Sequence, residues 1–194
     1  MRIRYNAPVV LTLALLAAAV LILEQVSGGG LIARYFVTYP RFGGPGGSGD
    51  TGPLSALRLV SYVLGHQGWM HLMANFSFIL LIGPVLEEKY RSGPLLVMML
   101  VTALVTGVLN ALLFRTALMG ASGIVFMLIL LSSFSNIRAG EIPLTFVLVL
   151  ALFLTKEIIA AFGQDNISQF AHVIGGLCGS LFGFILTRRG RSSA

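Results

Sequence analysis

Six runs of mostly apolar residues, each nearly long enough to cross a lipid bilayer as a helix, dominate the sequence. A spanning helix needs about 20 such residues. Only 10% of the residues are charged and 56% are hydrophobic, whereas soluble domains carry roughly 25% charged residues. The pattern therefore predicts an all-α membrane protein with six transmembrane helices in a single domain. The predicted helices cover approximately residues 7–25, 70–86, 94–114, 121–137, 142–161 and 168–187.

The basic residues between these runs predict the orientation of the chain. Cytoplasmic loops of membrane proteins are enriched in Lys and Arg, and an even number of spans places both termini on one side. That side would carry Arg2, Arg4, Lys89, Arg91, Arg138, Arg188, Arg189 and Arg191. The opposite side would carry Arg34, Arg41, Arg58, Arg115 and Lys156. We therefore expect both termini in the cytoplasm, and we interpret the net charge of +6 as a topology signal rather than a nucleic-acid surface.

Two features near the ends of the chain have simple interpretations. The run Val9–Leu23 follows Arg2 and Arg4 as in a signal peptide, but no small-residue cleavage site is evident after it and further spans follow. We expect a retained first helix. The single cysteine, Cys178, excludes an internal disulfide and a cysteine-based metal site, and we interpret it as a packing residue.

The predicted outer loop, residues 26–68, is rich in glycine. Its runs at 28–30 and 43–49 favour neither helix nor strand and indicate flexibility. Two short segments, 31–36 and 54–60, mix apolar and basic residues and are too short to span a membrane. Such segments are typical of helices that lie in the membrane interface. A plain extracytoplasmic loop explains them equally well, and the sequence leaves both interpretations open.

Four polar residues lie at the predicted outer ends of three helices. With the amino terminus inside, the second, fourth and sixth helices all run from the outside to the inside. Their first turns contain His71 and Asn75, then Ser122, then His172. Polar side chains within a membrane tend to face the bundle interior or a water-filled cavity. The topology therefore predicts that these four side chains share one depth, and that they are neighbours if the three helices pack together.

This set of residues has the composition of a hydrolytic site. A serine becomes a nucleophile when a base, most often a histidine, takes its proton, and Ser122 and His172 are the candidate pair. An oxyanion needs hydrogen-bond donors, which the free N–H groups at the start of the fourth helix can supply. His71 and Asn75 share one helix face and can add two more donors. Gly120 and Gly123 leave room for a substrate backbone beside the serine.

The sixth predicted helix also carries a stripe of small residues. Gly175, Gly179 and Gly183 recur every four residues, and this spacing lets two membrane helices approach closely. His172 precedes Gly175 by three residues, so it lies on the same face. Phe126, one turn after Ser122, is placed to pack on the imidazole. No acidic residue within the predicted helices is evidently placed to orient His172, so we expect a dyad rather than a triad.

With these residues, the sequence resembles the rhomboid family of intramembrane serine proteases. The matching motifs are HLMAN at 71–75, GASG at 120–123, and AHVIG at 171–175 followed by Gly179. They occur in the family's order and in its second, fourth and sixth helices. The resemblance covers residues 55–187 and implies cleavage of membrane-anchored proteins by a Ser-His dyad.

The resemblance also implies a role for each residue of the site. Ser122 would be the nucleophile and His172 the general base. The oxyanion and the substrate would be held by His71, Asn75, Gly120, Ala121 and Gly123, together with the backbone N–H of Ser122. Supporting positions would be Phe126, Gly175 and Gly179. Arg58 falls where the family's loop carries a Trp-Arg pair, with Leu57 in the place of the Trp, and Glu87 and His66 match family positions that we take as structural.

We therefore predict an endopeptidase that cuts transmembrane segments near the outer membrane face, through an acyl-enzyme intermediate. Substrate would enter past the fifth helix and the loop Phe162–Ile167. No cofactor is expected, and a metal bound by His66, His71 and His172 would lack a carboxylate or thiolate ligand. The alternatives are a non-catalytic rhomboid-like binder of membrane segments and a small transporter. A bacterial plasma membrane is the expected location, and the oligomeric state stays open.

Overall fold

The computed structural model describes residues 5–45, 52–135 and 166–191, together with isolated positions between the last two ranges. The described residues form seven α-helices and two short 3-10 turns, with no β-strand among them. The helices are α1 (Pro8–Val26), α2 (Leu31–Tyr35), α3 (Pro53–Ser61), α4 (Trp69–Tyr90), α5 (Ser92–Leu113), α6 (Ser122–Ser135) and α7 (Asn166–Arg191). The chain is thus all-α over its described part, as the sequence predicts.

Three of these helices are long and apolar enough to cross a membrane by their length and composition. They are α1, α4 and α5, with 19, 22 and 22 residues. The apolar stretches of α6 and α7 are shorter, Ser122–Ser133 and Phe170–Leu186. Most of the predicted fifth helix, 142–161, and most of the loop after it lie outside the described residues. The count of six spans, the single-domain organisation and the cytoplasmic location of both termini therefore stay predictions.

Helix α6 lies at the centre of the bundle. Every residue from Ile124 to Leu131 is buried, with at most 7% of its surface exposed. Neighbours on all sides explain this burial, since α6 packs against α4, α5 and α7. A helix that is apolar around its whole circumference is one that other elements surround. The residue at the start of α6, Ser122, is consequently held by several helices at once.

The glycine stripe brings α7 onto α6 at backbone distance. A Cβ atom on Gly175 would overlap the carbonyl oxygen of Gly123, and one on Gly179 would overlap the carbonyl oxygen of Met127. Only a hydrogen atom fits between the two backbones at these points. The close approach that the glycine spacing predicts is therefore observed, and its partner is the helix that begins at Ser122.

A pair of adjacent glycines provides a test of this packing. Gly175→Ala should push α7 away from α6 by a fraction of an ångström. This displacement should cost about 1–3 kcal/mol of stability. It should also lower any activity by at least about tenfold, because misplaced catalytic groups react slowly. Gly176→Ala is the control, because its Cβ would meet Leu130 at an ordinary 3.8 Å. Thermal unfolding in detergent and a cleavage assay measure both effects. Equal behaviour of the two variants would contradict this account of the packing.

The predicted outer loop contains short helices and specific tertiary contacts. Arg58 is only 2% exposed; its Nε donates to the Arg34 carbonyl at 2.8 Å, and a terminal nitrogen donates to the Gly43 carbonyl at 3.1 Å. The Thr38 hydroxyl donates to the Arg58 carbonyl at 2.6 Å. The described part of this loop is thus held by a buried guanidinium, although Leu57 replaces the family's Trp. Whether its helices lie in the membrane interface stays open.

This loop also fixes the link that leads into α6. Thr38 and Leu118 exchange two backbone hydrogen bonds of 2.9 Å as an antiparallel bridge. The Gly120 N–H donates to the Tyr62 carbonyl at 3.0 Å, and the Asn110 amide donates to the Thr116 carbonyl at 3.1 Å. The backbone is therefore tied on both sides immediately before Ser122.

At the opposite end of the bundle, Glu87 joins three helices. Its carboxylate accepts the backbone N–H groups of Val9 and Val10 at 2.9 and 3.0 Å and the Ser92 hydroxyl at 2.7 Å. A carboxylate in this position satisfies free N–H groups at a helix start and complements the helix dipole. Glu87 is 4% exposed, so it is a buried cap of α1. The structural role expected from the resemblance is confirmed.

Candidate active site

Ser122 is the first residue of α6 and is partly exposed. Because the helix begins there, its N–H has no acceptor within the helix. The preceding Ala121 is fully buried, and its carbonyl accepts the Val125 N–H at 3.0 Å. Gly120 adopts a φ of +108°, a conformation that L-residues with side chains rarely take. The turn therefore presents a serine hydroxyl and a free N–H at one helix start.

Two side chains of α4 face the backbone of Gly120. A Cβ atom on this glycine would lie 2.8 Å from the His71 Nε2 and 3.6 Å from the Asn75 Nδ2. Both nitrogens thus converge on a point two residues before Ser122, as the i, i+4 spacing on α4 predicts. The Asn75 side chain is 6% exposed, and its amide nitrogen has no hydrogen-bond partner among the described residues. A buried donor without an acceptor is costly and calls for an explanation.

The neutral His71 ring is set to donate from Nε2. The backbone N–H of Gln67 donates to its Nδ1 over a long 3.5 Å. An imidazole nitrogen that accepts a hydrogen bond carries no proton, so in the neutral ring the proton lies on Nε2. This is the nitrogen that faces Gly120. The local backbone thus favours the tautomer whose proton lies on the nitrogen beside Gly120.

The His66 ring packs against the His71 ring. The two imidazoles meet edge to face with 5.0 Å between their centres, and Phe76 lies 5.7 Å away on the same ring. The His66 Nδ1 lies 3.3 Å from the Leu64 carbonyl. Burial, and secondarily the neighbouring His71, lower the pKa of His66 to about 4. Its ring is therefore neutral at physiological pH and packs against His71 and Phe76, in keeping with the structural role expected from the sequence, while its buried Nε2 has no hydrogen-bond partner among the described residues.

His172 lies in the second turn of α7 and is buried. Its imidazole stacks on the Phe126 ring with 4.1 Å between centres and an angle of 4°. Phe126 follows Ser122 by one turn and shares its helix face, so the imidazole lies over the face of α6 that carries the serine. The neighbouring backbone confirms the proximity, because a Cβ on Gly123 would lie 3.2 Å from the Ala171 carbonyl oxygen. The stacking expected for Phe126 is thus observed.

The two sets of groups flank Ser122 from different helices. His71 and Asn75 approach from α4 on the side of Gly120, and His172 approaches from α7 on the side of Gly123. A hydroxyl between a histidine and several hydrogen-bond donors has the parts needed for acyl transfer: a nucleophile, a base and an oxyanion site. His71 and Asn75 thus lie beside the backbone just before Ser122, and His172 lies against the ring one turn after it.

Some contributors to this region were missed at the sequence level. The Tyr62 carbonyl, which holds the Gly120 N–H, has no sequence signal, because any residue could supply a carbonyl. Thr102, Thr106 and Asn110 recur every four residues along α5 and are fully buried at 0% exposure, and Thr106 lies beside Gly123. Their four-residue spacing within an apolar run is a signal that could have identified a buried polar face.

The fold and this site define a class: a polytopic helical membrane protein with a serine and histidines assembled within its bundle. Comparison with known proteins agrees with that class. The family model of the Rhomboid domain matches residues 53–189. The chain belongs to the rhomboid family.

Several relatives carry the name Rhomboid protease GlpG. The protein from Haemophilus influenzae is 25% identical over 187 residues, which cover 94% of each chain. Those from Yersinia enterocolitica and Serratia proteamaculans are 27% and 28% identical over 184 residues, or 93% of this chain and 63% of theirs. The chain thus spans nearly all of the first relative and somewhat under two thirds of the other two. It is a rhomboid-type serine protease, an integral membrane hydrolase of peptide bonds.

Proposed function

We propose that this protein cleaves transmembrane segments of membrane-anchored proteins with Ser122 as nucleophile and His172 as general base. The observation that carries the proposal is the convergence of the His71 Nε2 and the unpartnered Asn75 Nδ2 beside Gly120. A buried donor such as the Asn75 amide, without an acceptor among the described residues, fits a site that completes its hydrogen bonds only when negative charge develops on a bound carbonyl oxygen.

In the first step, the Ser122 hydroxyl oxygen attacks the scissile carbonyl carbon while the His172 imidazole takes its proton. The carbonyl oxygen becomes an oxyanion, held by the Ser122 N–H, His71 and Asn75. As the C–N bond breaks, the imidazolium returns the proton to the leaving amine. The acyl group stays on Ser122 as an ester.

In the second step, water attacks this ester. His172 takes a proton from the water and returns it to the Ser122 oxygen as the acid product leaves. Water must therefore reach Ser122, and a polar cavity open to the outer membrane face would admit it. The flat stacking on Phe126 holds the imidazole in one orientation through both steps.

The substrate is proposed to be a membrane segment cut near its outer end. A regular helix hides its carbonyls from attack, so a segment containing small or helix-breaking residues is the better substrate. The relatives come from bacteria, which supports a bacterial inner membrane as the location. Entry past the predicted fifth helix and the loop Phe162–Ile167 is part of the proposal, although most of that region lies outside the described residues.

A fluorophosphonate probe tests the proposal directly. The purified protein is labelled in detergent, digested, and the modified residue is identified by mass spectrometry. A single adduct on Ser122 is expected, because the phosphonyl group reacts with an activated serine. Labelling spread over other serines, or no labelling of a folded protein, would favour the non-catalytic binder or the transporter.

A further inference from the structure

A charged cavity lies at the end of the bundle opposite Ser122. It has a volume of about 750 Å³ and opens where α1 begins, α4 ends and α5 begins. Its lining includes Glu88, Arg91 and Ser92, with Tyr5 and Asn6 from the chain before α1. By the predicted topology this is the cytoplasmic end of the protein. The proteolytic site does not involve this cavity.

Two opposite charges in the cavity have no partner among the described residues. Neither Glu88 nor Arg91 makes an ion pair or a hydrogen bond with another described side chain. The nearby carboxylate of Glu87 is already occupied by the start of α1 and by Ser92. Within the described part of the chain, the cavity therefore presents one unpaired carboxylate and one unpaired guanidinium to the same space. A ligand carrying both a phosphate and an ammonium group would complement both charges.

An apolar groove borders the charged cavity at Ser92. It has a volume of about 360 Å³ and lies between α1 and α5, lined by side chains such as Leu13, Leu16, Leu96 and Met99. Ser92 lines both the groove and the charged cavity. Along α5 the lining extends from Ser92 to Ala103, which corresponds to roughly 16 Å at 1.5 Å per residue. That length is close to one leaflet of a hydrocarbon core about 30 Å thick.

We propose that the charged cavity and the groove together bind one phospholipid with a zwitterionic headgroup that carries a primary ammonium, as in phosphatidylethanolamine. Arg91 holds the phosphate and Glu88 accepts hydrogen bonds from the ammonium, while one acyl chain lies in the groove between α1 and α5. A choline headgroup has no N–H to donate to Glu88, and a glycerol headgroup has no positive charge. The order of binding is therefore ethanolamine over choline and glycerol headgroups.

Native mass spectrometry of the full chain in detergent tests this assignment. Palmitoyl-oleoyl phosphatidylethanolamine, phosphatidylcholine and phosphatidylglycerol are each titrated onto the delipidated protein. Glu88→Gln and Arg91→Gln should each weaken ethanolamine-lipid binding about tenfold, the loss expected for one charged hydrogen bond. Lys89→Gln is the matched control, because Lys89 lies between these two residues in sequence but does not line the cavity. It should leave binding unchanged.

The groove is tested separately. Leu96→Trp should fill it and reduce binding at least about fivefold, whereas Val97→Trp, on the next residue and outside the groove lining, should not. Soluble glycerophosphoethanolamine should not compete, because it lacks the acyl chain. Equal binding of the three lipids, or a loss of binding in Lys89→Gln as large as in Glu88→Gln, would overturn the proposal. Fluorophosphonate labelling of Ser122 in each variant reports that it is folded.

Discussion

Replacing Ser122 with Ala is expected to lower the rate of substrate cleavage by roughly 10⁴-fold or more, to the level of residual background hydrolysis. In the proposed mechanism this hydroxyl forms the acyl bond, and alanine has no group that can replace it. The measurement is single-turnover cleavage of a reporter transmembrane segment in proteoliposomes, together with fluorophosphonate labelling. The protein should stay folded, because Ser122 is partly exposed and alanine fits a helix start that its neighbours define.

His172→Ala should have nearly the same effect, and the double variant should be no worse than either single one. Groups that act in one chemical step are strongly non-additive. Ser77→Ala and Ser133→Ala are the controls, because their hydroxyls donate to carbonyls one turn earlier in their own helices and should not affect cleavage. Multiplicative losses from Ser122 and His172 would contradict a dyad, since they would indicate two groups that act independently.

The sequence predicts the helices that carry the site because their signals are local. Apolar runs long enough to span a bilayer place α4 and α5 within a few residues of their observed ends. The helical repeat places His71 and Asn75 on one face, and the glycine spacing of α7 identifies the face that meets α6. Each of these inferences needs only the periodicity of one segment, and the structure agrees with each.

The sequence does not predict the contacts that depend on the path of the whole chain. The role of Arg58 rests on two backbone carbonyls that residues 34 and 43 contribute, and any residue types there would present the same oxygens. Glu87 has an acidic side chain that is visible in the sequence, yet its partners are N–H groups 77 and 78 residues earlier. Tertiary geometry alone determines such pairs, so the sequence indicates a structural role for Glu87 through the family resemblance but not the groups that it binds.

The sequence likewise does not predict which charged residues line the charged cavity. Glu88, Lys89 and Arg91 are consecutive or nearly so, and in the sequence they form one polar turn between two spans. The structure separates them, because Glu88 and Arg91 line the cavity whereas Lys89 lies near the Tyr90 ring, 5.8 Å from its centre. Arg91 lies in this turn with a positive φ of 69°, and no composition rule predicts which of the three charges share a space.

Asn75→Ala is expected to lower kcat by about 10²–10³-fold, the usual effect of removing one oxyanion donor, while KM changes little. The reason is that its amide nitrogen has no acceptor among the described residues of the resting protein, so its hydrogen bond would form only as charge develops on the substrate. His71→Ala should cost a similar factor. Gln67→Ala is the control for the same segment, because the backbone N–H of Gln67, which the substitution keeps, is the group that donates to His71.

The thermal stability of the Asn75→Ala variant distinguishes an oxyanion role of Asn75 from a structural role. Deleting a buried donor that lacks an acceptor removes an unfavourable feature, so Asn75→Ala should leave the thermal unfolding temperature nearly unchanged or raise it. A residue that holds the fold together would behave in the opposite way, with a lower unfolding temperature and with kcat and KM changed together. Steady-state kinetics and thermal unfolding of one preparation measure both quantities. A destabilised Asn75→Ala protein with near-normal kcat would remove Asn75 from the oxyanion site and leave His71 and the Ser122 N–H as its donors.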